Sequence, residues 1–107
     1  MMTIQRVICF KFKKGTSQEE IARHMHSLAA LQSAIPQIKT YAASLTVPDE
    51  LGNLPSFDSL HYVTFATMAD VETYFHHQAH QDFIAENKHI WEDVLVLNGE
   101  LHMWIDR

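Results

Sequence analysis

Apolar and polar positions first alternate and then recur at helical spacing, in an order that outlines the elements of the chain. Thr3 to Phe12 (TIQRVICFKF) is β-branched and aromatic, with Arg6, Ile8, Phe10 and Phe12 on one side and Val7 and Cys9 on the other. It predicts a strand that stops at Lys13-Lys14-Gly15. Apolar residues on both sides mean that neither face suits free solvation. Thr16-Ser17-Gln18-Glu19-Glu20 then holds two overlapping capping boxes, Thr16 to Glu19 and Ser17 to Glu20. Ile21, Met25, Leu28 and Leu31 or Gln32 follow at helical spacing, so a helix of about four turns is expected, ending before Pro36.

Gln37 to Val47 returns to β-type residues and predicts a second strand, while Pro48 to Ser56 is dense in turn residues and predicts a long loop. Leu60 to Thr67 reads as a third strand, in which Tyr62 and Thr64 alternate with His61, Val63 and Phe65. From Thr67 onward, Val71, Tyr74 and Phe75 form one helical stripe and Ala79, His80, Phe83, Ile84, Asn87, Ile90 and Trp91 another. That pattern fits one helix, or two with a break near His77. Val94 to Leu97 predicts a last core strand, and Asn98-Gly99 a tight turn leading to a short returning strand, Glu100 to Ile105.

The resulting order, β-α-β-β-α-β plus a terminal strand, is the split βαβ arrangement of an α+β, ferredoxin-like domain with an antiparallel sheet. Its helices cover one sheet face. With the other face apolar as well, the economical solution is a homodimer in which two sheets pack against each other.

Composition narrows the function classes. A chain of 107 residues is expected to be a single domain spanning residues 1–107. Lys and Arg number 8 against 13 Asp and Glu, a formal charge of −5, so the basic face that nucleic acid requires is not expected. Cys9 is alone, which leaves neither a disulfide nor a cysteine zinc site within one chain and fits a reducing compartment. No apolar run approaches the roughly 20 residues that span a bilayer, and no cleavable signal pattern is evident, so a cytoplasmic protein without membrane attachment is expected. Histidine, with a count of 8, equals all Lys and Arg combined.

Among these histidines, His80 shares the inward stripe with Phe83, Ile84, Asn87 and Trp91. A buried imidazole needs a partner, and three roles stand open for it: a core histidine bonded to a backbone carbonyl or Asn87, a ligand contact, or a general base. Tyr74 has a core ring whose hydroxyl could orient an imidazole or polarise a ligand carbonyl. Glu72, His76 and His80 stand at i, i+4 and i+8, but the glutamate between histidines and the further ligand of catalytic zinc motifs are missing, so no metal is expected. His77 suits a local cap, and His24, His26 and His89, among polar neighbours, are expected on solvated helix faces. His61 and His102 fall in strand segments and leave open whether they line a dimer surface. Cys9 reads as an inert packed thiol, and Lys11, Lys13 and Lys14 as a solvated basic edge.

Ile8-Cys9-Phe10-Lys11-Phe12-Lys13 with Gly15-Thr16-Ser17, then Ile35-Pro36, and above all Tyr74-Phe75-His76-His77-Gln78-Ala79-His80-Gln81-Asp82-Phe83 resemble the stress-responsive α/β-barrel domain family, Dabb. The resemblance runs from about Gln5 to about Leu97. Its most specific part, Tyr-x-x-His-Pro-x-His with Phe three residues on, is met at Tyr74, His77, His80 and Phe83 and departs at Gln78, where the family usually has proline. Arg6 stands where many members carry histidine. The resemblance implies a dimeric α/β barrel of ferredoxin-like subunits. A plant polyketide cyclase similar to the family uses a His and a Tyr at the positions of His80 and Tyr74, with a further pocket tyrosine at the position of Leu28. The candidate catalytic residues are therefore His80, as base, and Tyr74, as orienting acid. The candidate ligand contacts are Arg6, His77, Phe83 and Leu28, with no metal or cofactor. Three functions remain open: binding of a small apolar or aromatic, polyketide-like ligand in a sheet–helix cavity; a cofactor-independent cyclase, isomerase or lyase; or a structural stress protein with a filled core.

Overall fold

The computed structural model describes residues 2–104. Its four strands, β1 (Ile4–Phe12), β2 (Thr40–Leu45), β3 (Ser59–Phe65) and β4 (Trp91–Glu100), form one antiparallel sheet of order β2-β3-β1-β4. The period of two sorts the side chains: Ile4, Ile8, Phe10 and Phe12 of β1 and Ser59, His61, Val63 and Phe65 of β3 are buried on the helix-covered face. Leu28, Leu31, Ile35, Val71, Tyr74 and Phe83 close over them to make the core. This is the α+β, ferredoxin-like arrangement that the element order predicts.

Helix α1 (Gln18–Ala29) starts at Ser17, whose Oγ accepts from the Glu20 backbone N–H at 3.1 Å while Glu20 Oε1 accepts from the Ser17 N–H at 3.2 Å. Of the two capping boxes only this one forms; the Thr16 hydroxyl instead donates to the Lys13 carbonyl at 2.6 Å. Ser17→Ala should therefore cost about 1 kcal/mol and Thr16→Ala clearly less, as read from urea denaturation; equal losses would contradict the assignment. The chain stays helical through Ala30 into α2 (Leu31–Ala34) and turns extended at Ile35, where the following Pro36 disfavours helix.

Two helices rather than one follow β3. Helix α3 (Met68–His76) is capped by Thr67, and α4 (Gln78–Asn87) runs into a 3₁₀ turn, Lys88–Ile90. The break at His77, with φ −62° and ψ 138°, forms without a proline at position 78.

The expected turn at Asn98-Gly99 does not form. β4 runs straight through it, with Asn98 opposite Arg6, Gly99 opposite Gln5 and Glu100 opposite Ile4, and the Leu101 N–H donates to the Thr3 carbonyl at 2.8 Å. A type I′ turn needs positive φ at both central residues, yet only Gly15 and Gly52 adopt positive φ among the described residues. Pairing wins because β1 offers a full ladder down to Ile4, and because Arg6 Nη1 donates to Asn98 Oδ1 at 3.0 Å, holding that side chain to the sheet. Residues 101–104 follow without regular secondary structure, and Ile105 lies outside the described residues.

Val7 and Cys9, Leu60 and Tyr62, and Leu95 and Leu97 pair across β1, β3 and β4 on the face that no helix covers, where Leu97 is 58% exposed. No described helix is long and apolar enough to cross a membrane.

Candidate functional site

The break at His77 builds the centre of the site. In an unbroken helix the Ala79 N–H would donate to the Phe75 carbonyl. Here it donates to His77 Nδ1 at 3.0 Å, and the freed Phe75 carbonyl accepts from His80 Nδ1 at 3.0 Å and from Gln81 Nε2 at 2.6 Å. A carbonyl can only accept, so Nδ1 of His80 carries the proton and Nε2 the lone pair. Nε2 has no protein partner among the described residues. Burial lowers the His80 pKa, opposed by the bond to Phe75 and reinforced by the charge of Arg6. The imidazole is therefore neutral at pH 7.

Around it lies a cavity of about 120 Å³ between sheet and helices. Arg6, Ile8 and Phe10 come from β1, Leu28 from α1, Tyr74 and Phe75 from α3, His80, Phe83 and Ile84 from α4, and Trp91, Val94 and Val96 from β4. The Tyr74 and His80 ring centroids are 4.4 Å apart, and Arg6 Cζ lies 5.7 Å from the Tyr74 ring. Tyr74 is 1% exposed and its hydroxyl has no partner; Arg6 Nε is likewise buried and unpaired. Each such group forfeits about 1–3 kcal/mol, a cost that a polar ligand atom would relieve. Burial raises the Tyr74 pKa, partly offset by Arg6, so the phenol stays protonated and can donate.

Of the residues singled out in the sequence, Arg6, Leu28, Tyr74, His80 and Phe83 all meet at this cavity. His77 does not line it; it caps α4 and thereby frees the carbonyl that orients His80. His76 and His80 fall on separate helices, and the described residues contain no cluster of three or more potential metal ligands.

A second set of buried polar residues was not legible as such. His24, expected in solvent, is 0% exposed, because it lies three residues after Ile21 and four before Leu28 on the stripe that packs inward. Its Nε2 accepts from Trp91 Nε1 at 2.9 Å. His61, also 0% exposed, sits on the helix-covered face, with the hydroxyls of Tyr41 and Ser59 on its two ring nitrogens. Its alternation with Val63 and Phe65 was the available signal. Cys9 is buried, which raises its thiol pKa, in keeping with a packed, unreactive group.

No curated protein matches the sequence. Among solved structures, a hydroxynitrile lyase from Passiflora edulis superposes with a TM-score of 0.85 at 19% identity, over 97% of each chain. A dimeric ferredoxin-like protein of unknown function from Thermobifida fusca gives 0.79 at 20% identity, over 94% of this chain and 92% of that one. A Dabb family protein with a ferredoxin-like fold from Mesorhizobium loti gives 0.77 at 17% identity, over 92% and 96%. These likenesses establish the fold. The model of the stress-responsive A/B barrel domain matches residues 4–100, nearly the whole chain, and the protein belongs to that family, Dabb.

Proposed function

We propose that this chain works as a homodimer that binds a small, largely apolar carbonyl compound in the His80 cavity and moves a proton on it. One observation carries the reading: a neutral imidazole with a free Nε2 stands beside an unpartnered phenol hydroxyl on the wall of an otherwise apolar cavity. The Tyr74 hydroxyl donates to the carbonyl oxygen. Nε2 of His80 takes a proton from the adjacent carbon as the C–H electron pair moves into the carbon–carbon bond and the carbonyl π pair passes to oxygen. Returning the proton to a different carbon gives isomerisation; expelling a leaving group from the next carbon gives elimination. Leu28 and Phe83 supply the apolar wall, Arg6 the positive charge near the developing anion, and His77 the cap that positions His80. A lyase among the similar folds supports an enzymatic reading over a filled structural core, as does the cavity itself. The free thiol of Cys9 suits a cytoplasmic setting.

An engineered apolar cavity of about 150 Å³ holds benzene, so about 120 Å³ favours a single ring or short chain. Cyclohexanone in D₂O is thus a suitable probe. The protein should accelerate deuterium exchange at its α-carbons and His80→Ala should not; equal rates for the two would overturn the reading.

The dimer rests on the uncovered face bearing Val7, Leu60, Tyr62, Leu95 and Leu97. Sedimentation equilibrium at micromolar concentration should give twice 12.4 kDa, and Leu97→Glu should give the monomer. A wild-type monomer would contradict it.

A further inference from the structure

We propose that the ligand carries a carboxylate and that Arg6 selects it. The inference rests on the reading of the cavity as a ligand site and adds the chemical class. Arg6 occupies the covered face of β1, between Ile4 and Ile8, where alternation calls for an apolar residue. No carboxylate figures among its charged neighbours in the described residues, and the one acceptor it holds is the neutral Oδ1 of Asn98, bound by Nη1. A half-buried cation without a counter-charge is costly, and ligand anions are the usual remedy.

The free edge of the guanidinium is the one formed by Nε and Nη2. Two parallel N–H donors on such an edge match the two oxygens of a carboxylate. Nε has no partner, and neither has the hydroxyl of Tyr74, whose ring lies under the same guanidinium. A carboxylate on Nε and Nη2 satisfies the first of these orphans and leaves the Tyr74 hydroxyl to donate to the ligand's carbonyl oxygen. A phosphate, with more oxygens and a higher charge, would call for more donors than one cation and a phenol in an apolar chamber. The cavity, about 120 Å³, has room beside that carboxylate for a single ring or a short branched chain.

The test is calorimetric titration with benzoate and its neutral isostere benzamide, on the wild type, Arg6→Gln, Arg6→Lys and Leu28→Trp, which fills the cavity. Benzoate should bind the wild type at least about tenfold more tightly than benzamide. Arg6→Gln should abolish that preference, lowering benzoate affinity far more than benzamide affinity. Arg6→Lys, which keeps the charge without the fork, should retain part of it and guards against a folding defect in the glutamine variant. Equal binding of the two probes, unchanged in Arg6→Gln but lost in Leu28→Trp, would overturn the role of Arg6 while sparing the cavity. Failure of the wild type to bind either probe at millimolar concentration would overturn both.

Discussion

Lowering the pH from 7 to about 4.5 is expected to remove several kcal/mol of folding stability, because two enclosed histidines stay neutral in the fold and not in the unfolded chain. His24 and His61 are fully enclosed, and burial lowers the pKa of each to about 4, with His61, its ring 5.9 Å away, adding to the lowering at His24. In the unfolded chain both return to about 6.5. Their folded pKa values lie below the unfolded ones, so above pH 6.5 both states are neutral and nothing is lost. Between 6.5 and about 4 the unfolded state alone takes up protons and is favoured as pH falls. Each histidine accounts for up to about 2–3 kcal/mol over that window, against a total stability of about 5–15 kcal/mol for a typical domain. Glu20 and Asp49 have pKa values lowered by hydrogen bonds, so their contribution is present above the ordinary carboxylate range and is lost only at still lower pH. Urea denaturation at pH 7, 6, 5 and 4.5 should show the decline, with a shallower slope in His24→Phe whatever its starting stability. A flat profile over this range would mean that the two rings are not held neutral in the fold.

The strands and helices were legible because each has one dominant period. β1 reads from its alternation and α1 from the overlapping capping boxes Thr16 to Glu19 and Ser17 to Glu20, all local signals. What was missed depends on partners distant in sequence. Nothing near Asn98 shows that β1 will offer it a ladder, so a strong local turn pair was overridden by pairing with residues more than ninety positions away. His24 looked solvated beside Arg23 and Glu20, but its enclosure follows from Phe10, Phe12 and Trp91, which close around its ring. At the site, helical spacing placed His80 and Tyr74 inward. The bond that fixes the imidazole proton could not be read, since it depends on a break that His77 stabilises without the usual proline.

His80→Ala should lower the rate of cyclohexanone deuterium exchange by roughly 100- to 10,000-fold, the usual contribution of a general base. The loss should fall on kcat more than on KM, because the apolar wall of Leu28, Phe83 and Ile84 that binds the ring is retained. Tyr74→Phe keeps the ring packed against Phe65 and removes only the unpaired hydroxyl. It should slow exchange by roughly tenfold to a thousandfold while holding or raising stability, since an unsatisfied buried donor disappears. A purely structural tyrosine would leave the rate unmoved. His77→Ala, which deletes the cap of α4, should lower stability by about 1 kcal/mol and slow exchange by loosening His80, whereas His77→Asn, a good capping residue, should restore both.

The most direct measurement is the protonation state of the His80 ring, read from its two ¹⁵N shifts by NMR at pH 7, with assignment through His80→Gln. A neutral imidazole protonated at Nδ1 is expected, with a bare Nε2 whose shift moves when cyclohexanone is added. An imidazolium, a proton on Nε2, or an Nε2 shift indifferent to the ligand would contradict the assignment of His80 as the base of a ligand-binding cavity.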